Sequence, residues 1–104
     1  HAVAMARSAD LFGPYEPDPQ GGILTSSGRT DLELQKAGHG ELVMTPNGEW
    51  YLAHLASRPL PTPAGPRCPL GRETCLQNVI WSEDGWLRLA GGGTAPRMEV
   101  APPL

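Results

Sequence analysis

Two tight-turn signals constrain the fold of this chain more than any other feature. The dipeptides Asn47-Gly48 and Asp84-Gly85 each lie between two short apolar runs. Asn-Gly and Asp-Gly supply the positive φ angles that a type I′ turn requires. The flanking runs, all of strand length, are Leu42–Thr45, Trp50–Leu55, Leu76–Trp81 and Trp86–Ala90. The pattern predicts two β-hairpins in series, side by side in one antiparallel sheet.

The rest of the chain predicts one further strand and long loops. Val3–Ala6 is a fifth apolar run, whereas Thr30–Lys36 is too short and too close to glycine to predict a helix. Gly13-Pro14 and the stretch Pro17–Gly22 are expected to be irregular. Four prolines mark a surface loop between the hairpins: Pro59, Pro61, Pro63 and Pro66. We therefore expect an all-β chain whose four-stranded antiparallel unit has the size of one propeller blade.

Composition is compatible with one small folded unit that has many turns. The 104 residues include 13 glycines and 12 prolines, and 39% of the chain is hydrophobic. An isolated blade buries little surface and exposes its edges, so it should be only marginally stable. The first and last residues both interrupt apolar patterns, and we expect them to be cuts within a longer protein. Cytoplasmic and secreted locations both stay open.

Charge and cysteine content exclude several classes of function. The net charge is −3 and the basic residues are scattered, so the pattern predicts neither a nucleic-acid nor a membrane partner. Cys68 and Cys75 are interpreted as two free thiols, because nothing in their spacing demands a disulfide. The three histidines lie far from both cysteines in sequence, and the pattern does not predict a zinc site.

Four blocks of sequence, in this order, resemble one enzyme family. They are His1 to Ser8 with Leu11 to Glu16, then Gly38 to Val43 with Asn47 to Leu52, then Leu70 to Thr74, and lastly Trp81 to Trp86. Together they resemble the last part of the catalytic domain of glycoside hydrolase family 43, especially its β-xylosidase and xylosidase/arabinofuranosidase members. The resemblance covers nearly the whole chain.

This resemblance implies a five-bladed β-propeller and hydrolysis of xylo-oligosaccharides or arabinoxylan with inversion at the anomeric carbon. Residues 1–37 would be the end of blade 4 and a connecting loop, 38–96 blade 5, and 97–104 an exit toward a following domain. Family members use an Asp base, a Glu acid and an orienting Asp, with acid and base spaced to admit a water. All three precede the block at His1 in the family, so we place no catalytic acid in this chain.

Two residues match functional positions of the family. His39, in Gly-His-Gly, matches a histidine at the floor of the central pocket that supports the carboxylates or, in some members, a central cation. Arg72, in Gly-Arg-Glu-Thr, matches an arginine that points into the sugar subsite. The resemblance implies no required cofactor, although a structural calcium ion in the full-length propeller would have His39 as an indirect ligand. From geometry we expect both side chains at the same end of the sheet, because each would precede one of two strands that run in the same direction.

Other chemically suggestive residues are interpreted as structural. Glu41 stands where the family usually has Asp, and Glu73 belongs to the structural end of its block, so neither is assigned as an acid. Cys75 replaces a bulky aromatic residue of many relatives. His54 is expected to be without a role. The tryptophans are expected to pack between strands: Trp50, Trp81 and Trp86.

Two alternative functions stay open at this point. One is a non-catalytic carbohydrate-binding or scaffold propeller that kept these strands and lost its acids. The other is a small free-standing β protein whose likeness is coincidental. The residues that separate the enzyme from the scaffold would lie outside this chain.

Overall fold

The chain folds into two antiparallel sheets in a computed structural model that describes residues 1–103. The six strands are β1 (Val3–Arg7), β2 (Glu16–Leu24), β3 (Gln35–Met44), β4 (Trp50–Ser57), β5 (Arg72–Trp81) and β6 (Leu87–Leu89). β1 and β2 pair with each other, and the other four form one sheet in the order β3-β4-β5-β6. No helix in the described part of the chain could cross a membrane. The predicted all-β, antiparallel fold is confirmed, and so is the placement of both hairpins in one sheet.

The hairpin turns differ from the predicted type I′ geometry, and both differ in the same way. Only the glycine of each dipeptide, Gly48 and Gly85, has a positive φ, near +83° and +82°. In the first hairpin the Gly48 N–H donates to the carbonyl of Thr45, whose own N–H donates to the carbonyl of Glu49. This is a type I turn followed by a left-handed glycine bulge, a three-residue alternative that also matches strand twist.

The second sheet includes a strand that the sequence did not predict. β2 covers Pro17–Gly22, which was interpreted as irregular because it contains two prolines and two glycines. The β1–β2 ladder has register shifts on either side of Ala4, so the pairing is interrupted. Prolines are tolerated here because β2 has only one neighbour, and an edge strand leaves half of its N–H groups without a ladder partner.

Two strands of the main sheet begin earlier than predicted. β3 begins at Gln35, so Gly38-His39-Gly40 lies inside the strand rather than before it. β5 begins at Arg72 itself, four residues before the predicted start at Leu76. Both extensions consist mainly of polar residues or glycine, which the apolar pattern used for the prediction does not mark.

The core lies between the two sheets. β1 alternates, with Val3 and Met5 half-buried and Ala4 and Ala6 exposed. The buried cluster is made of Ile23, Leu24, Leu34, Ala37, Leu52, Ala56, Val79, Leu87 and Leu89. The sheets are also joined by polar contacts: Arg88 donates to both carboxylate oxygens of Asp18, at 2.5 and 2.9 Å, and the Arg7 guanidinium lies 4.1 Å from the ring centroid of buried Trp86.

The tryptophans divide between core and surface. Trp86 is buried, as expected, and Trp50 is half-buried and packs against the core cluster. Trp81 keeps 41% of its surface exposed, and its ring meets the Trp50 ring edge-on, with centroids 5.7 Å apart. Trp81 therefore packs across the strands at the margin of the sheet and not inside it.

Candidate functional site

His39 projects from an irregular stretch of β3. The β3–β4 register shifts between Gln35 and Gly38 and again between Gly38 and Glu41. Lys36 and His39 both have left-handed backbone conformations, with φ near +55° and +54°. Such angles are uncommon outside glycine and cost free energy, so the surrounding contacts must hold them in place. The result is a bulged strand that exposes the His39 side chain.

The two glycines beside His39 are required by close packing. A Cβ atom on Gly40 would lie 2.8 Å from Val3 Cγ2 and 2.9 Å from Leu52 Cδ1, and one on Gly38 would lie 3.2 Å from the Ala2 nitrogen. Residues of the first sheet thus press directly on the back of the bulge. Glycine on both sides of the histidine lets the backbone approach these neighbours closely.

Arg72 lies in the same half of the sheet as His39. It is the register partner of Ser57, which in turn faces Gln35, and its Nη1 donates to the carbonyl of Lys36 over 3.4 Å. Its side chain is half-exposed. In the described residues no hydrogen bond joins Arg72 to His39, and their convergence on one sugar pocket stays a prediction.

Glu73, next to Arg72, is occupied by a structural ion pair. Arg58 Nε and Nη2 donate to its two carboxylate oxygens, at 2.7 and 3.1 Å. The hydrogen bonds from Arg58 hold the pKa of Glu73 below its ordinary value. A general acid needs a raised pKa, so this environment supports the interpretation of Glu73 as structural. Glu41 is exposed on β3 opposite Ala53.

The cysteines are both free and half-buried. Cys75 packs against the core cluster, and burial raises the pKa of its thiol. Cys68 lines an open groove together with Lys36, Arg58 and Arg67. Neither His39 nor Arg72 lines that groove, although Arg72 contacts the backbone of Lys36 at its margin.

The described residues do not form a metal site by themselves. No group of three or more His, Cys, Asp or Glu side chains is placed to hold a metal ion in residues 1–103. A structural calcium ion in the full-length propeller, with His39 as an indirect ligand, stays a prediction. We derive no chemical step through it.

Sequence reasoning missed one polar cluster in the sheet interior. His54 and Gln77 are each only 1% exposed and contact each other, and Gln77 also bonds the backbone of Arg97. His54 lies in an otherwise apolar run, which is why it was interpreted as having no role. The sequence signal for this cluster is a histidine in one apolar strand and a glutamine in the next. Whether the two side chains pair depends on the strand register, which the sequence pattern does not fix.

Residues 1–87 match the model of the glycosyl hydrolases family 43. The chain is 49% identical over 92 residues to xylosidase/arabinosidase 43B of Humicola insolens, an alignment that includes 88% of this chain and 17% of that protein. It is 45% identical to a xylan 1,3-beta-xylosidase of a Vibrio species, over 99% of this chain and 21% of the relative.

A solved structure matches the fold. The crystal structure of xylan beta-1,4-xylosidase from Bacillus halodurans C-125 superposes with a TM-score of 0.91 and 57% sequence identity, over 99% of this chain and 19% of that one. The chain thus spans about a fifth of the length of the relatives that it matches. The family resemblance drawn from the four sequence blocks is confirmed: this chain belongs to glycoside hydrolase family 43.

Proposed function

We propose that the complete protein removes terminal xylose or arabinofuranose from xylo-oligosaccharides or arabinoxylan, and that this chain contributes pocket residues but no catalytic acid. The relatives named for xylosidase and arabinosidase activity support the substrate class. The blades that carry the acids would come from the four-fifths of such a protein that lies outside this chain. Residues 1–37 are assigned to the end of blade 4, 38–96 to blade 5 and 97–104 to the exit.

The observation that carries the proposal is that Arg72 and His39 lie in the same half of the main sheet. Arg72 keeps its guanidinium partly exposed at the first residue of β5, and His39 is held outward by a bulge three residues beyond the carbonyl that Arg72 contacts. A guanidinium offers a planar set of N–H donors that does not lose its charge near neutral pH. Such donors suit sugar hydroxyls or a carboxylate from another blade.

Exposed apolar residues support the assignment of this chain to part of a larger propeller. Val43, Met44 and Ile80 are 47%, 59% and 50% exposed, although they lie in strands of the main sheet. The Cα radius of gyration is 15.2 Å, against about 13 Å for a compact domain of this length. Neighbouring blades would cover these surfaces in the complete protein.

Turnover of simple glycosides tests the proposal. The complete protein should release nitrophenol from nitrophenyl β-D-xyloside or α-L-arabinofuranoside, and Glu41→Gln should retain that activity. Inversion predicts that ¹H NMR of a β-xyloside reaction shows α-xylose as the first product. Residues 1–104 alone should show no turnover above buffer. Activity of the isolated chain that Glu41→Gln or Glu73→Gln abolishes would place the acids here and overturn the proposal.

The scaffold alternative predicts a different result in the same assay. A propeller that had lost its acids would bind xylo-oligosaccharides without releasing product, however long the incubation. Binding by calorimetry with no turnover would favour that alternative over the hydrolase.

A further inference from the structure

A buried polar cluster links the middle of the main sheet to the chain segment that leaves it. His54 on β4 and Gln77 on β5 are each 1% exposed. The His54 Nδ1 lies 3.2 Å from the carbonyl oxygen of Leu55, and its Nε2 lies 3.1 Å from the Gln77 amide nitrogen. A carbonyl oxygen only accepts, so Nδ1 carries the proton and Nε2 accepts from the Gln77 amide. Neutral His54 is therefore the Nδ1–H tautomer.

The same glutamine holds the backbone of Arg97 on its other side. The Gln77 Nε2 donates to the Arg97 carbonyl over 3.0 Å, and the Arg97 N–H donates to the Gln77 Oε1 over 3.1 Å. Farther on, the Tyr51 hydroxyl donates to the carbonyl of Ala101 over 3.1 Å. We call residues 97–101 the exit segment. The Gln77 amide engages both backbone groups of one residue, as a neighbouring strand would.

This arrangement is self-consistent only while His54 is neutral. Both hydrogens of the Gln77 amide are used, one on His54 and one on Arg97. A proton on His54 Nε2 would face the N–H of the Gln77 amide, so that two donors would oppose each other. Rotation of the amide by 180° would satisfy the imidazolium, but it would turn the amide oxygen toward the Arg97 carbonyl and the NH₂ toward the Arg97 N–H. One proton thus breaks both bonds to the exit segment, and unsatisfied buried groups are costly.

We propose that His54, Gln77 and the Arg97 backbone form a proton-sensitive latch that holds the exit segment against the sheet when His54 is neutral and releases it when His54 is protonated. Burial lowers the pKa of His54 from its ordinary value. The latch is therefore closed at neutral pH and opens only as the pH falls through this lowered pKa.

The charged groups around His54 leave it without a compensating carboxylate. On β5 its register partner is Cys75, and Glu73 is paired with Arg58. On β3 the bulge opposite contains exposed His39, followed by exposed Glu41 and preceded by Lys36. In the exit segment the Arg97 guanidinium donates to the Gly91 carbonyl, and Glu99 is exposed. In residues 1–103 none of these groups forms an ion pair with His54.

The first test is the tautomer and titration of His54 in the complete protein. With ¹⁵N-labelled histidine, and with assignment by the loss of its signal in His54→Gln, neutral His54 should show a protonated Nδ1 and a bare Nε2. Its pKa should fall below that of an exposed histidine. An Nε2–H tautomer at neutral pH would contradict the hydrogen-bond assignment and overturn the latch.

The second test is hydrogen–deuterium exchange of the peptide that contains Arg97, corrected for intrinsic rates, between pH 5 and 8. In the wild type, protection of the Arg97 amide should fall about tenfold or more as pH drops through the His54 titration. Gln77→Met should lose that protection at every pH, because it removes both bonds with little change in volume. His54→Gln offers a non-titrating acceptor and should keep protection at every pH.

Two results of the exchange experiment would contradict the proposal. Equal pH dependence in His54→Gln and wild type, or unchanged protection in Gln77→Met, would overturn the latch. Tyr51→Phe is a matched control, since it removes only the bond to Ala101 and should leave the pH dependence at Arg97 intact. If His54→Gln does not fold, the Gln77→Met comparison still decides the question.

Discussion

Gly40 shows most clearly how one residue fixes the position of the candidate site. It does not need a positive φ, since its backbone is not left-handed, but it has no room for a Cβ between Val3 and Leu52. The backbone next to the exposed His39 meets Val3 of the first sheet at this point. The glycine and the histidine therefore act as one structural unit.

We predict that Gly40→Ala destabilises the protein by about 1–3 kcal/mol, because the added methyl overlaps packed core side chains. Urea unfolding of the complete protein measures the change. Gly22→Ala is the matched control, since its Cβ would have only an ordinary contact of 3.4 Å with the Val3 carbonyl. Equal effects of the two substitutions would show that the bulge is not packed as described.

His39 itself illustrates what residue-scale reasoning could and could not find. Its position between two glycines marked it as a special residue, and the family resemblance suggested a role. Its left-handed φ and that of Lys36 were not predictable, because they arise from the register shifts between β3 and β4. Such shifts are set by tertiary packing and not by local propensity.

The hairpin turns are the element whose detail can be tested most simply. The left-handed conformation falls on Gly48 alone, with open space around it, and Pro46 precedes Asn47 in the turn. Proline favours the first central position of a type I turn, which explains why the type I′ expectation for Asn47-Gly48 was wrong. A dipeptide signal thus located the hairpin but did not fix the turn type.

Gly48→Ala should therefore cost about 1–2 kcal/mol from backbone strain alone, and Asn47→Ala should cost less. Thermal or urea unfolding checks the order of the two variants. A type I′ turn would require left-handed backbone at both positions, so a comparable strain cost at Asn47 would contradict the bulged geometry.

The ion pair between Arg88 and Asp18, which joins the two sheets, makes the stability of the protein depend on pH. Hydrogen bonds from Arg88 lower the pKa of Asp18 in the folded state. The stabilisation is therefore fully present above the unfolded pKa, about 3.9, and is lost as the pH falls through the lower folded value. Asp18→Asn should lower the free energy of unfolding at neutral pH, because it leaves the Arg88 charge uncompensated beside a buried partner.

A matched control for this prediction is Asp31→Asn, which breaks the exposed ion pair with Arg29. Exposed pairs contribute little, so its unfolding midpoint should change less than that of Asp18→Asn at pH 7. The difference between the two variants should shrink in acid, below the Asp18 titration. A constant difference across the pH range would mean that the pair does not join the sheets as described.

The strands also show which elements the apolar pattern of the sequence does not detect. Strands rich in apolar residues were located because burial on one or both faces leaves a periodic signal. β2 was missed because Pro17, Pro19, Gly21 and Gly22 break that signal, and an edge strand that is mostly exposed does not need it. The polar beginnings of β3 and β5, where His39 and Arg72 lie, were missed for the same reason.

At the scale of the whole molecule, the chain is a thin, extended unit of two sheets, 53 × 33 × 21 Å in extent. Its family could be predicted from four sequence blocks because each combines turn residues with aromatic or charged residues in a fixed order. The pocket could not be built from these residues alone, because it would be completed by side chains from other blades. We propose that this chain contributes Arg72 and His39 to that pocket.

The most direct test of this account is the kinetics of Arg72→Ala in the complete protein, with Arg67→Ala as a control. Both arginines are at least partly exposed, and Arg67 lies in the preceding loop. Loss of hydrogen bonds from a charged donor in the transition state predicts a fall in kcat/KM of about 10- to 100-fold on nitrophenyl β-D-xyloside or α-L-arabinofuranoside, whichever the wild type cleaves. Stability should change little in either variant, and Arg67→Ala should keep wild-type turnover. Unchanged kcat/KM in a folded Arg72→Ala variant would contradict the assignment of Arg72 to the sugar pocket.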